Sequence, residues 1–102
     1  TPRALVEAGA KIAIITDAPV IPLRYLPLCA GLAMQAGLPE DEAWKAVTIN
    51  PAEIVGISSR VGSLESGKDA DIVIYQGDPL RDVQCKTLAT LIDGRLVYQA
   101  QG

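Results

Sequence analysis

The sequence lacks histidine altogether, has no phenylalanine and contains a single tryptophan among its 102 residues. Without histidine, the chain cannot by itself supply the imidazole ligands that zinc enzymes commonly use. Without phenylalanine, its core must be built from aliphatic side chains. Its apolar runs are also far shorter than the 20 or so residues that a membrane-spanning helix needs. These absences argue against a self-sufficient zinc enzyme and against a membrane-spanning protein.

Basic residues are sparse as well. The net charge is −3 and the isoelectric point lies near 4.7, with no cluster of lysine and arginine. This balance argues against a nucleic-acid groove and against binding to an anionic membrane surface. No basic-then-apolar signal segment opens the chain. The chain starts on Thr1-Pro2 without an initiator methionine, so we expect a piece of a longer protein.

The two cysteines, Cys29 and Cys85, stand alone, outside any CxxC pattern or cysteine/histidine cluster. Isolated cysteines in an acidic, aliphatic chain are typical of reduced, buried thiols. A disulfide between them is the alternative. Reduced thiols fit a cytoplasmic location, which we therefore expect.

Hydrophobic residues make up 49% of the chain and charged residues 21%, enough apolar material for a folded core. The first half indicates one strand among helices, and the second half indicates glycine turns and short strands. The predicted strands are residues 11–16, 70–75, 88–92 and 96–99. The predicted helices are residues 2–8, 23–36, 39–48 and 51–55. Asp93-Gly94 between two apolar runs predicts a hairpin with a type I′ turn.

Helix-start signals place two of these helices. Pro39 precedes an acidic first turn, where the helix dipole favours anions. Asn50, Pro51 and Glu53 stand in the order of cap, first helical residue and capping glutamate, so Asn50 is predicted to cap the fourth helix. Gly56 is predicted to end it. Two large apolar residues are predicted to lie in the core. They are Trp44, the only tryptophan of the sequence, and Met34 on the preceding helix.

Asp17 is the main candidate for chemistry. A β-branched apolar run over residues 12–15 leads through Thr16 to this carboxylate, and Pro19 ends the strand. In α/β barrels, the residues at the C-terminal ends of the strands carry the chemistry. The residues alone leave two interpretations open, an aspartate that caps a turn and a metal ligand or general base.

A second pattern, from Gly62 to Lys68, has the glycine and lysine spacing of a phosphate-binding loop. Such a loop continues with serine or threonine and opens a helix, whereas Asp69 and a predicted strand follow here. The pattern therefore favours a turn at Gly67 with a solvated Lys68. Asp69, Asp71 and Asp78 are likewise predicted to be turn or strand-edge residues.

Four stretches, taken together, resemble a known family. They are residues 14–19 with Asp17, the A-x-T-x-N-P-A run of residues 46–52, residues 61–73, and the closing hairpin of residues 92–98. Their order is similar to the C-terminal part of a metal-dependent amidohydrolase, of the imidazolonepropionase-like and prolidase-like branch. The resemblance covers nearly the whole chain. It implies an α/β fold, with the last strand and helices of a TIM-type hydrolase barrel in residues 1–57. Residues 58–102 would then form the C-terminal half of a small composite β-sandwich, whose other half comes from the N-terminus of the full protein.

The resemblance also implies an activity. Family members hydrolyse a C–N bond of a small molecule, such as an amide or cyclic amide, with a metal-activated water. Asp17 corresponds to the last-strand aspartate that binds the metal and takes a proton from the water. The family's His-x-His pair, its two further histidines and its carboxylated lysine or glutamate have no counterpart here. We therefore expect a divalent metal, Zn²⁺, in the full-length parent, and an inactive isolated chain that does not hold it.

The expected partners follow from this assignment. They are a small-molecule substrate, the remainder of the parent barrel and, for the isolated piece, further copies of itself, with no nucleic acid and no membrane. A second hypothesis is a non-catalytic α/β module that self-associates and carries out no chemistry, which the missing histidines favour for these 102 residues taken alone.

Overall fold

The computed structural model describes residues 2–17 and 23–101. Its helices are α1 (Pro2–Glu7), a 3₁₀ turn (Leu23–Tyr25), α2 (Leu26–Gln35), α3 (Glu40–Ala46) and α4 (Ile49–Val55). Its strands are β1 (Ile72–Gln76), β2 (Lys86–Ile92) and β3 (Arg95–Gln99). The predicted helices and the three predicted strands of the second half are thus confirmed in order, with ends shifted by a few residues. Thr1, which precedes α1, lies outside the described residues.

The three strands form one antiparallel sheet in the order β1-β2-β3. The β2–β3 hairpin turns at Asp93 and Gly94, which both have positive φ, 51° and 76°. A type I′ turn requires this conformation at both central positions, so the predicted turn is confirmed. The Asp71 carboxylate accepts a hydrogen bond of 2.8 Å from the Asp93 N–H, which ties the hairpin tip to the start of β1. Asp71 is therefore a strand-edge residue, as predicted.

The predicted strand at residues 11–16 is wrong, because no strand is assigned there. A strand is defined by ladder hydrogen bonds to a neighbouring strand, and β1, β2 and β3 pair with one another instead. Residues 11–16 contact the helices: the Ile14 N–H donates to the Ala46 carbonyl over 2.9 Å. The apolar run is buried only in part, since Ile12 and Ile14 pack against the core while Ile15 is exposed.

The core lies between the helices and a turn from the second half of the chain. Its buried members are small or aliphatic: Ala30, Leu38, Ala43 and Leu80. Trp44 and Met34 pack against this cluster, which confirms them as core residues. Leu80 belongs to the turn between β1 and β2, yet it is only 3% exposed. It reaches α2 at Gly31, where a Cβ would overlap the Leu80 carbonyl oxygen.

Arg81 fastens the same turn to α3. Its guanidinium donates to Glu40 Oε1 over 3.0 Å and to the Asp78 carboxylate. The Asp78 carboxylate also accepts the Leu80 N–H over 3.0 Å. The hydrogen bond from Arg81 holds the pKa of both carboxyls below their usual values, and the two carboxylates raise the pKa of Arg81. Asp78 is thus a turn residue, as predicted.

Two surface predictions have different outcomes. Gly67 lies in a turn with φ of 92°, as predicted. Lys68, however, is half-buried rather than solvated, and its Nζ donates to Ser63 Oγ over 2.7 Å. Ser63 in turn donates to Glu65 over 2.8 Å. The Lys68 side chain therefore folds back onto the loop that contains it, which explains its partial burial.

Both cysteines are free, as predicted, but each is half-buried rather than fully buried. Across the described stretches of the chain, every helix is too short or too polar to cross a membrane.

Candidate functional site

Asp17 lies directly after the segment that contacts the helices. Thr16 before it is buried, only 4% exposed, whereas Asp17 itself is exposed at a turn. Its φ of 52° lies in the left-handed region, which aspartate tolerates better than most residues. The backbone thus changes direction at Asp17, and its carboxylate is accessible to solvent. This geometry suits either a turn residue or a ligand for something outside the chain.

The segment before Asp17 is held by the corner where α3 ends and α4 begins. In addition to the bond between Ile14 and Ala46, the Asn50 side-chain Nδ2 donates to the Ile12 carbonyl over 2.9 Å. An exposed ion pair joins Lys11 to Glu53 on the same corner. Three positions of the segment are therefore tied to two helices that lie more than thirty residues further along the chain.

Asn50 was predicted to cap α4, and that prediction is wrong. The helix begins at Ile49, Thr48 flanks it, and no side-chain cap bond is formed. Asn50 lies inside the first turn of α4 and is only 6% exposed. Its side-chain amide donates to the Ile12 carbonyl instead. An asparagine can serve either purpose, because its side-chain oxygen can accept a backbone N–H at a helix start and its Nδ2 can donate to a distant carbonyl, as it does here. A local pattern cannot distinguish them.

A groove of about 590 Å³ lies between the α3–α4 corner and β1. Its lining is mainly apolar and includes Trp44, Pro51, Val61 and Tyr75. Asp17 is not among the lining residues. The predicted catalytic carboxylate and this groove are therefore separate features, and the structure does not bring them together.

Cys85 lies close to several ionisable groups, but its thiol is not activated. Desolvation and the nearby Asp82 and Asp78 carboxylates all raise the pKa of the Cys85 thiol. Desolvation, followed by the influence of Cys85, likewise raises the pKa of the Tyr75 hydroxyl. A nucleophilic cysteine requires a lowered pKa. These two residues therefore favour a packing role over nucleophilic catalysis.

The described part of the chain does not hold a full set of metal ligands. A catalytic zinc centre takes three protein ligands and leaves one position open for water. In residues 2–17 and 23–101, no three histidine, cysteine, aspartate or glutamate side chains come together as a metal-binding group. The described residues therefore do not fit a complete metal centre. Any complete centre that used the Asp17 carboxylate would need further ligands from outside the described residues.

Comparison with known proteins gives a consistent result. Residues 1–97 match the amidohydrolase family. The imidazolonepropionase of Geobacillus kaustophilus is 43% identical over 76 residues, which cover 72% of this chain and 18% of that protein. The N-substituted formamide deformylase of Arthrobacter pascens is 31% identical, over 98% of this chain and 21% of that protein.

A solved structure agrees with these relatives. The crystal structure of an amidohydrolase from Thermotoga maritima superposes with a TM-score of 0.92 at 39% identity. It covers 97% of this chain, but this chain covers 26% of it. The chain thus spans about a quarter or less of the length of the proteins it matches.

Proposed function

This chain belongs to the amidohydrolase family, and we propose that its parent protein hydrolyses a C–N bond of a small molecule, with Asp17 as a metal ligand and general base. The observation that carries the proposal is the position of Asp17. Its carboxylate is exposed at a turn immediately after a segment that the α3–α4 corner holds in place. A carboxylate whose backbone is fixed in this way is suited to accept a proton from a water molecule that other parts of the protein bind.

The remainder of the parent would complete the centre. A divalent metal such as Zn²⁺, when bound, lowers the pKa of its water and polarises the substrate carbonyl. Asp17 would supply one oxygen ligand and would accept the proton of the attacking water on its carboxylate. The other ligands would come from residues outside this chain, since the chain has no histidine. Residues 1–57 would belong to the barrel and residues 58–102 to the composite β-sandwich.

The experiment that tests the activity is a substrate panel for the full-length parent. The names of the relatives suggest an N-substituted formamide and an imidazolone propionate, and a dipeptide completes the set of C–N bonds. We expect turnover of at least one of them by the parent. Turnover of none, by protein that carries its full metal content, would contradict the proposed activity.

The isolated 102-residue chain is expected to hydrolyse none of these substrates. One carboxylate cannot replace three protein ligands, so zinc should bind weakly in a calorimetric titration of the chain. The parent serves as the positive control under the same conditions. Tight, stoichiometric zinc binding by the isolated chain would show that it assembles a centre from its own residues.

We also propose that the sheet is completed by the rest of the parent. In the described chain, β1 and β3 each pair on one side only, because the sheet order is β1-β2-β3. On β3, Leu96, Val97 and Tyr98 are each more than half exposed. Apolar side chains on both faces of an edge strand are unfavourable in water and favour further pairing. About three quarters of the Thermotoga maritima structure lies beyond the part that this chain covers, which leaves ample chain to cover the sheet.

The isolated chain should therefore self-associate. Its unpaired edges and exposed apolar side chains would be covered by further copies once the parent's own strands are absent. Sedimentation velocity at increasing concentration should show a rising sedimentation coefficient. Replacing Val97 with lysine on β3 should shift the equilibrium toward monomer. A compact monomer at every concentration would contradict the proposal.

A further inference from the structure

We propose that Asn50 is a positioning residue for Asp17: its buried amide fixes the register of residues 11–16 against the α3–α4 corner, and so sets where the carboxylate lies. The inference rests on the proposed role of Asp17. The sequence around Asn50 indicates only a helix cap. In the structure, Ala46 and Asn50 of the A-x-T-x-N-P-A run both bind the segment that leads to Asp17.

The contacts specify one register. The Ile12 carbonyl accepts from Asn50 Nδ2, and the Ile14 N–H donates to the Ala46 carbonyl, each over 2.9 Å. The segment thus offers one acceptor and one donor, two residues apart, to two fixed partners. A slip of one residue would break both bonds together, because neither partner would then face a matching group.

Asn50 carries more of this restraint than the neighbouring ion pair. The side chains of Lys11 and Glu53 are 49% and 38% exposed, and exposed ion pairs contribute little to stability. Asn50 is only 6% exposed, so its amide has little access to water if the bond to Ile12 is lost. A buried polar group left without a partner is costly, and the segment is therefore held most firmly at Ile12.

The role is one of positioning, not of catalysis. Asn50 donates to the backbone carbonyl of Ile12, five residues before Asp17, and not to the carboxylate. It therefore acts on Asp17 through the backbone of the segment. A displacement of about 1 Å at a reacting group can cost about 100-fold in rate.

The test is a double-mutant cycle in the full-length parent with Asn50→Asp and Asp17→Asn. Asn50→Asp keeps the shape but replaces the donor with a carboxylate facing the Ile12 carbonyl. We expect kcat to fall about 10- to 100-fold with KM nearly unchanged, and the metal content of the purified protein to fall as well. Leu91→Ala on β2, a half-buried position opposite Ile72, is the control for general destabilisation, and it should lower the melting temperature without this loss of kcat.

The cycle separates the outcomes. If Asn50 acts through Asp17, Asn50→Asp should cost no further kcat in the Asp17→Asn background, since coupled residues are not additive. Equal losses in both backgrounds would overturn the positioning role, as would an unchanged kcat in the single variant. Near-normal turnover of Asp17→Asn would instead refute the proposed function itself. If Asn50→Asp does not fold, Asn50→Ala, which removes the donor without adding charge, takes its place in the cycle.

Discussion

Replacing Asp17 with asparagine in the full-length parent should lower kcat by about 10²- to 10⁴-fold, the usual cost of losing a general base. The amide keeps the size of the carboxylate but cannot accept the proton of the attacking water, and it is a poorer metal ligand. The measurement is kcat on any accepted substrate, with the metal content of both proteins determined alongside. The loss should persist in variant protein that carries as much metal as the wild type.

The matched control for this change is Asp69→Asn. Asp69 accepts a hydrogen bond of 3.0 Å from Arg60 in the loop before β1, and it has the same chemistry as Asp17 without its position. We expect this variant to lose some stability, because its ion pair with Arg60 is removed, and to keep its kcat. Turnover by Asp17→Asn equal to that of the control would falsify the assigned role.

Gly31→Ala should be the most destabilising small substitution in the chain. The added Cβ would overlap the Leu80 carbonyl oxygen, which is backbone and cannot rotate away as a side-chain end can. Overpacking of this kind costs about 1–3 kcal/mol, and sometimes more, although alanine is otherwise favoured over glycine in a helix. The expected result is a lower midpoint of urea unfolding for the full-length parent.

Gln35→Ala, at an exposed position of the same helix, is the control for that prediction. It introduces the same side chain without a clash and should change the free energy of unfolding by about 0.5 kcal/mol or less. An unfolding midpoint for Gly31→Ala as high as that of the control would mean that the Leu80 turn can move aside at no cost.

Local sequence signals predicted the parts of the fold that depend on the backbone preferences of one or two neighbouring residues. The hairpin at Asp93-Gly94 needs positive φ at two adjacent positions, and few residue pairs satisfy this. The helix end at Gly56 depends on a left-handed residue, and φ there is 86°. In both places the conformational preference of one or two residues determines the structure, so the prediction needs no information from the rest of the chain.

Contacts between distant residues were not predictable in the same way. The core position of Leu80 depends on a glycine forty-nine residues earlier in the sequence, and nothing in the composition of the turn indicates it. Asn50 carries a helix-cap pattern, yet its amide binds Ile12, thirty-eight residues away. The apolar run before Asp17 has the composition of a buried strand, but strand formation also requires a neighbouring strand to pair with. Asp17 itself was found from its place at the end of that run, and its chemical role remains a prediction.

The bond between Asn50 and Ile12 has a consequence for synthesis on the ribosome. The two residues are separated by 38 positions, and chains grow at about 5–20 residues per second. Residues 11–16 are therefore made about 2–8 seconds before the corner that holds them exists. During that interval the apolar run has no partner from the α3–α4 corner, and such exposed runs are where nascent chains aggregate. The final geometry of Asp17 is thus set only after the α3–α4 corner has been made.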